Sequence, residues 1–409
     1  MRISTEVLMK LLAGIEAELP RAVELRRRLH SNPELAHAEQ WTSSVLADEL
    51  PVKSLAAAGS GLIARVGPSG GGAIAVRAEL DGLPIEEQTD APYQARGGVM
   101  HACGHDVHMA ALVALTRAAH ALGDSLPAPL LAVLQPSEEA YPSGAEELAH
   151  GELLELRPAA IVAAHVHPEL PWGTVALDPG IVNASSDNIE ITVEGEPTHG
   201  AYPHHGRDPI LALAHIVVAL HSELGRRIDP LAPAVLSIGA IEGGHAENVI
   251  PPQARARGSL RAYRPEDRIT LRRMCEEVVS GVAEAHGCRA GVTIVCGEPA
   301  LRNDPEITAI GRDLLSSASL RAAPEWRSCG SDDFAFFGEL APLAMAFVGL
   351  DGAAGFKARP LHHPELLPPD SAVAAVARAQ AVLYAAAAGS LMRRDAAEGP
   401  GELGGCLRA

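Results

Sequence analysis

Aromatic side chains are scarce in this 409-residue chain: 3 Trp, 5 Tyr and 5 Phe make up 3% of it. Any core must therefore be built from Ala, Leu, Val and Ile. Positive charge is also short, since 33 Lys and Arg face 51 Asp and Glu for a net charge of −18. Such a surface repels phosphate backbones and anionic lipid, which argues against nucleic-acid and membrane partners. Paired cysteines are missing: the 6 Cys are scattered, with no CxxC motif, so a reducing, cytoplasmic setting is expected. No uninterrupted apolar run opens the chain. Glu16 and Glu18 break it, and Leu8, Leu11, Leu12, Ile15, Leu19 and Val23 recur at helical spacing. That pattern predicts an amphipathic helix and no signal peptide. The apolar stretch 372–392 holds Arg378 and Gln380 and reads as a buried or docking helix, not a membrane span.

What is present suits a globular protein. Hydrophobic residues are 47% and charged residues 21%, enough for a sizeable core, and the length allows about two to three domains. Residues 61–66, 73–78, 129–134 and 159–164 read as strands, and 106–122 and 145–156 as helices. This alternation predicts a mixed, mostly parallel sheet with helices on both faces. The pattern changes over 181–297. Residues 187–195, 234–241, 255–263 and 291–296 read as strands, with helices opening at Asp208-Pro209 and at Pro265. The order β-α-β-β-α-β is that of a ferredoxin-like α+β unit. It is expected as an insertion into an α/β domain formed by 1–180 and 298–392, the latter with a helix near 304–319, a strand at 343–349 and a helix at 371–392. A mobile tail, 393–409, follows.

The densest chemistry is His101-Ala102-Cys103-Gly104-His105-Asp106-Val107-His108. Thiolate and imidazole are ligands for zinc and other late divalent metals, and Gly104 permits a tight turn that aims its neighbours at one point. On its own the string also reads as a polar loop or a helix start. Glu138 and Glu139 follow the 129–134 strand. One can ligate metal while the other serves as base, although acids also favour helix N-termini. His165 follows the 159–164 strand, Glu79 and Asp81 follow the 73–78 strand, and His362-His363 lies in a late loop. Together these groups lie at the carboxyl ends of presumed parallel strands, where open α/β sheets bind ligands. One Cys, several His and a carboxylate pair there suit one or two divalent ions that activate water beside a Glu base.

The runs Arg77–Pro84, His101–His108, Gln135–Glu139, Pro197-Thr198-His199-Gly200-Ala201, Asn248–Pro251 and Leu361–Pro364 occur in one order. That order resembles the hippurate hydrolase and N-acyl-amino-acid amidohydrolase family of dinuclear metallopeptidase relatives, over roughly residues 20–390. The resemblance implies a metal-bearing catalytic domain with an inserted lid that often dimerises, so a homodimer through the lid is expected. It implies Cys103, His105, Glu139, His165 and His362 as ligands of one or two ions of zinc, manganese, nickel or cobalt. Glu138 is then the general base, Asp81 orients ligands from behind, and His101 and His108 stand behind the ligands or at the helix start. His199 would stabilise the oxyanion, from its own or a partner chain. Asn248 and Arg261 would hold a substrate carboxylate, although Arg261 could instead pair with Glu266. The implied reaction is hydrolysis of an N-acyl amino acid or related small amide. A dipeptidase or exopeptidase on the same site, and a non-catalytic metal-binding protein, are the alternatives. Glu79, Gly82 and Asp332 stand where the family usually has Asp, Ala and Glu, differences that bear on the substrate more than on the metal.

Overall fold

The apolar periodicity near the start of the chain becomes one long helix, Arg2–His30, in the computed structural model, which describes residues 2–398. Leu8, Leu11, Ile15, Leu25 and Leu29 are buried along it. Gly14 lets it approach the helix His105–Leu122 closely, because a Cβ there would lie 2.8 Å from Ala118 Cβ. The chain divides into two compact units. The first comprises the chain up to Gly180, Arg302–Trp326 and the part from Phe336 onward; the second comprises Ile181–Leu301 and Arg327–Ala335.

The first unit is built on an eight-stranded mixed sheet. Its centre is four parallel neighbours in the order Leu130–Gln135, Ile74–Glu79, Ala160–Pro171 and Leu343–Asp351. Gly61–Val66 runs antiparallel beside the first of them. The central strands are near-continuous apolar runs buried on both faces, as parallel strands covered by helices must be. The helix Ser371–Glu398 is apolar around its circumference and belongs inside the unit, where Val373, Val376, Val382, Leu383 and Tyr384 are buried. Three expectations change here. The helix expected over 145–156 is two, Gly144–His150 and Glu152–Leu156, broken at Gly151. The strand expected at 159–164 runs through 12 residues to Pro171, so His165 and His167 lie within it and not after it. Residues 393–398 continue the last helix, whereas the rest of the expected tail, 399–409, lies outside the described residues.

The second unit has the ferredoxin-like order. Its antiparallel sheet runs Ala234–Gly243, Gln253–Ala262, Ser185–Glu194, Arg289–Cys296. Ile189, Ile191 and Val193 point from one face into a core shared with the helices Pro209–Arg227 and Pro265–Ala285. Asp208 caps the first of these by accepting from the amides of Ile210 and Leu211, with Pro209 at the first helical position. Arg327–Ala335 was expected with the α/β domain but packs with this unit. Its backbone pairs here: Ser328 N donates to Val182 O at 2.9 Å, and Ala184 N donates to Ser328 O at 3.1 Å.

A buried ionic network ties the first helix to the start of His105–Leu122. Arg26 Nε and His30 Nδ1 both donate to Asp106 Oδ2, at 2.6 and 2.9 Å, and His30 Nε2 lies 3.1 Å from Glu87 Oε1. Arg26 also donates to Tyr93 Oη and to the Pro368 carbonyl. Burial by itself would raise the Asp106 carboxyl, yet Arg26 and His30 hold it well below the ordinary carboxylate range. Its stabilisation is therefore present above the unfolded pKa of about 4 and lost only as pH falls below that value. Asp106→Asn leaves a charged Arg26 buried without its main partner. Urea unfolding at pH 7 should show a loss of about 3–5 kcal/mol; an unchanged midpoint would contradict this role for the network.

Candidate metal centre

Gly104 caps the His105–Leu122 helix with φ +85°, a left-handed conformation, and a Cβ on it would sit 2.6 Å from Val166 Cγ2. Only glycine meets both conditions. The turn presents Cys103 and His105 at the carboxyl rim of the parallel strands. Cys103 Sγ lies 3.3 Å from His165 Nε2. His105 Nε2 lies 3.8 Å from Glu138 Oε2 and 4.0 Å from Glu139 Oε1. His362 Nε2 is 3.3 Å from the same Glu139 oxygen. Cys103, His105, Glu138, Glu139, His165 and His362 thus converge, although they span some 260 residues of chain.

The hydrogen bonds behind these groups fix which atoms they present. His105 Nδ1 donates to the Asp81 carbonyl at 2.8 Å, with the Asp81 carboxylate 3.5 Å away. The other oxygen of that carboxylate accepts the Glu139 amide at 2.8 Å. His165 Nδ1 donates to the Val166 carbonyl at 2.6 Å. Both rings therefore carry their proton on Nδ1 and turn the Nε2 lone pair inward. His105 Nε2 and Glu139 Oε1 are buried and have no hydrogen-bond partner. Buried acceptors of this kind are costly unless something occupies them. Burial opposes charge on His105, yet Asp81, Glu79 and Glu139 push its pKa up to about 10 without a metal, so an entering cation would displace a proton from Nε2. The pocket carries excess negative charge and favours a cation. A thiolate, imidazoles and carboxylates around orphaned lone pairs fit divalent metal of the zinc type.

The late loop resolves between its two histidines. His363 Nδ1 accepts the Glu365 amide at 3.0 Å and so serves its own turn. His362 reaches Glu139 from a left-handed backbone, φ +64°, and its amide donates to the Ala102 carbonyl at 2.9 Å. A left-handed non-glycine is strained, and such strain concentrates at functional sites.

A second buried cluster stands behind the ligands. Glu79 ends its strand instead of following it, and Oε2 accepts from His108 Nδ1 at 2.8 Å. Arg77 pairs with Glu79 and donates to Gln135 Oε1 at 2.7 Å. Burial alone would raise Glu79, but Arg77 and His108 hold it well below the usual carboxylate range. Glu79, His105, His108 and His165 lie close enough together for an ion. His108 is excluded as a ligand because its Nε2 already accepts the Val166 amide, at 3.0 Å. Arg77 and the Glu79–His108 pair are absent from the sequence expectations. The available signal was two charged residues two apart within an otherwise apolar strand. His101 is buried, its ring nitrogens have no partner, and burial pushes its pKa down to about 4.

His199, Asn248 and Arg261 lie in the second unit. His199 pairs with Val249 in a two-residue ladder and is exposed. Its Nδ1 accepts the Ala201 amide at 3.0 Å, so Nε2 carries the proton and is a donor. The Asn248 carbonyl accepts the Gly200 amide at 2.7 Å, which couples it to the His199 loop. Arg261 Nη1 donates to Cys329 O at 3.1 Å and reaches Ser331 Oγ at 3.3 Å, where a pairing with Glu266 was the alternative.

Comparison with known proteins points the same way. The family model for peptidase family M20/M25/M40 matches residues 75–387. The N-acetyl-L-cysteine deacetylase of Bacillus subtilis (strain 168) is 34% identical over 368 residues, covering 88% of this chain and 86% of that protein. The N-acetyldiaminopimelate deacetylase of Bacillus pumilus (strain SAFR-032) is 34% identical over 360 residues, covering 86% and 94%. A crystal structure of a Bacillus subtilis dinuclear metal binding peptidase from the M20 family aligns with a TM-score of 0.77 at 28% identity, over 90% of this chain and 98% of that one.

Gly104→Ala tests the turn on which this geometry depends. The variant should fold, since the change is local, but should take up metal more weakly, by about 10- to 100-fold in affinity. Competitive chelator titration measures this, and wild-type affinity would show that the left-handed turn is not required.

Proposed function

The chain belongs to peptidase family M20/M25/M40 and is a metal-dependent amide hydrolase, and on that premise we propose that it hydrolyses N-acyl amino acids to a carboxylate and a free amino acid. Two of its relatives are deacetylases of N-acetylated amino acids, which makes acetyl the first acyl group to try. The observation that carries the reading is the position of Glu138 Oε2, 3.8 Å from His105 Nε2, a buried nitrogen that has no hydrogen-bond partner.

In this reading Cys103, His105, Glu139, His165 and His362 hold one or two divalent ions of zinc, manganese, nickel or cobalt. The thiolate favours zinc, nickel or cobalt. A bound ion would supply Lewis acidity, which makes water a stronger acid and an amide carbonyl more electrophilic. The Glu138 carboxylate takes the proton from the attacking water and, once protonated, gives it to the leaving nitrogen. Asp81 keeps His105 and Glu139 in register by holding a ring proton and a backbone amide. His199, with its proton on Nε2, is suited to donate to the oxyanion. Asn248 and Arg261 are suited to the substrate carboxylate, for which the planar guanidinium fork is a geometric match. The second unit is the proposed dimerisation surface, and the cytoplasm the proposed location, because the 6 Cys are scattered along the sequence without a CxxC motif.

A dipeptidase reading rests on the same site and on the family's peptidase members. An N-acetyl amino acid panel run beside dipeptides, after chelation and reloading with single metals, should favour the acyl substrates; preference for dipeptides would overturn the substrate assignment. Glu138→Gln should keep metal stoichiometry while kcat falls by about 10²- to 10⁴-fold. Retained turnover in that variant would remove Glu138 as the base.

A further inference from the structure

The strand that carries His165 outruns its neighbour. Ala160–Pro171 pairs with Ile74–Glu79 only as far as Arg77↔Ala163. On its other side the pairing with Leu343–Asp351 continues through Phe347↔His165 and Val348↔Val166. Amides of a strand alternate between its two neighbours. The Ile161 amide donates toward the Leu343–Asp351 side, to Pro342 O at 3.0 Å. The odd-numbered amides therefore face that strand, and the even-numbered ones, Val166 included, face Ile74–Glu79. The Val166 amide lies beyond the last paired residue on that side, fully buried, where a strand partner has run out.

His108 fills that place. Its Nε2 accepts the Val166 amide at 3.0 Å, and its Nδ1 donates to Glu79 Oε2 at 2.8 Å. Glu79 is held in turn by Arg77, on the strand that stopped pairing. The Glu79 side chain thus reaches, through an imidazole, the amide that its own carbonyl would have met had the pairing continued in register. We propose that His108, oriented by Glu79, is a positioning residue that replaces the missing strand partner of Val166 and thereby fixes the backbone presenting His165 to the metal. The proximity is direct: the His108 and His165 rings are 4.4 Å apart, and His165 Nδ1 donates to the carbonyl of the same Val166. Val166 Cγ2 also bounds the Gly104 turn. One residue thus registers His165 against Cys103 and His105. The inference rests on His165 being a metal ligand.

Two measurements test it. In wild-type protein labelled with ¹⁵N-histidine, the ring shifts of His108 should report a neutral imidazole protonated at Nδ1, with Nε2 an acceptor. An Nε2-protonated or doubly protonated ring would overturn the proposal without requiring any variant to fold. His108→Leu keeps bulk and removes both hydrogen bonds. It should lower affinity for added Co(II) by about 10- to 100-fold and change the visible spectrum of the bound ion, while His108→Gln, which offers an acceptor and a donor, restores part of both. A folded His108→Leu protein with wild-type affinity and spectrum would refute the positioning role. Failure of the underlying metal reading is distinguishable, because wild-type protein would then take up no stoichiometric Co(II).

Discussion

Two buried atoms, His105 Nε2 and Glu139 Oε1, have no hydrogen-bond partner, and the first unit is arranged around them. Each of the groups that hold them is engaged on its far side. The Nδ1 proton of His105 goes to the Asp81 carbonyl, and the Glu139 amide goes to the Asp81 carboxylate. These bonds stop the two side chains from turning to satisfy one another, so the inward atoms are placed to meet a cation. The surrounding carboxylates make the same demand electrostatically, since they raise His105 to about 10 against the opposing effect of burial. A buried excess of negative charge that coexists with orphaned donor atoms is the physical signature of a site for divalent metal.

That arrangement is rigid because it is anchored in the sheet and the long helices. The carboxyl rim of the parallel strands supplies Glu79, Asp81, Glu138 and His165. The Gly104 turn supplies Cys103 and His105 at the head of a helix that is buried from His105 through Thr116. Behind that helix start, Arg26 and His30 clasp Asp106 from the end of the first helix. The loop with His362 is tied in by a hydrogen bond from the His362 amide to the Ala102 carbonyl. The proposed ligands thus come from four separate segments, but each is supported by backbone or by a buried charged partner. This is the support that metal chemistry needs if ligands are to hold position to within fractions of an ångström.

Much of this was legible in the residues themselves. Period-2 and period-3.6 patterns marked most strands and helices, the Asp208-Pro209 cap marked a helix start, and the order of elements marked the ferredoxin-like unit. Gly104 between two soft ligands already signalled its turn. What escaped reading was long-range. Nothing local reveals that Arg26 meets Asp106 or that Arg77 and Glu79 continue into His108, because such pairs are made by tertiary packing. The Ala160–Pro171 strand seemed short because histidines interrupt its apolar run, yet a sheet tolerates them where the rim binds an ion. The 145–156 segment kept a helical pattern across Gly151, where the backbone leaves the helix. Arg327–Ala335 has no pattern of its own, and its place is set by backbone bonds to Val182 and Ala184.

The central claim is that Cys103 and the histidines form one metal centre, and X-ray absorption at the metal edge tests it most directly. Protein stripped with chelator and reloaded with zinc should show sulfur in the first shell at about 2.3 Å, with nitrogen and oxygen scatterers at about 2.0–2.2 Å. The sulfur contribution should vanish in Cys103→Ser while imidazole scattering remains. A zinc shell without sulfur in the wild-type protein, or with none of the outer scattering of imidazole rings, would contradict the account.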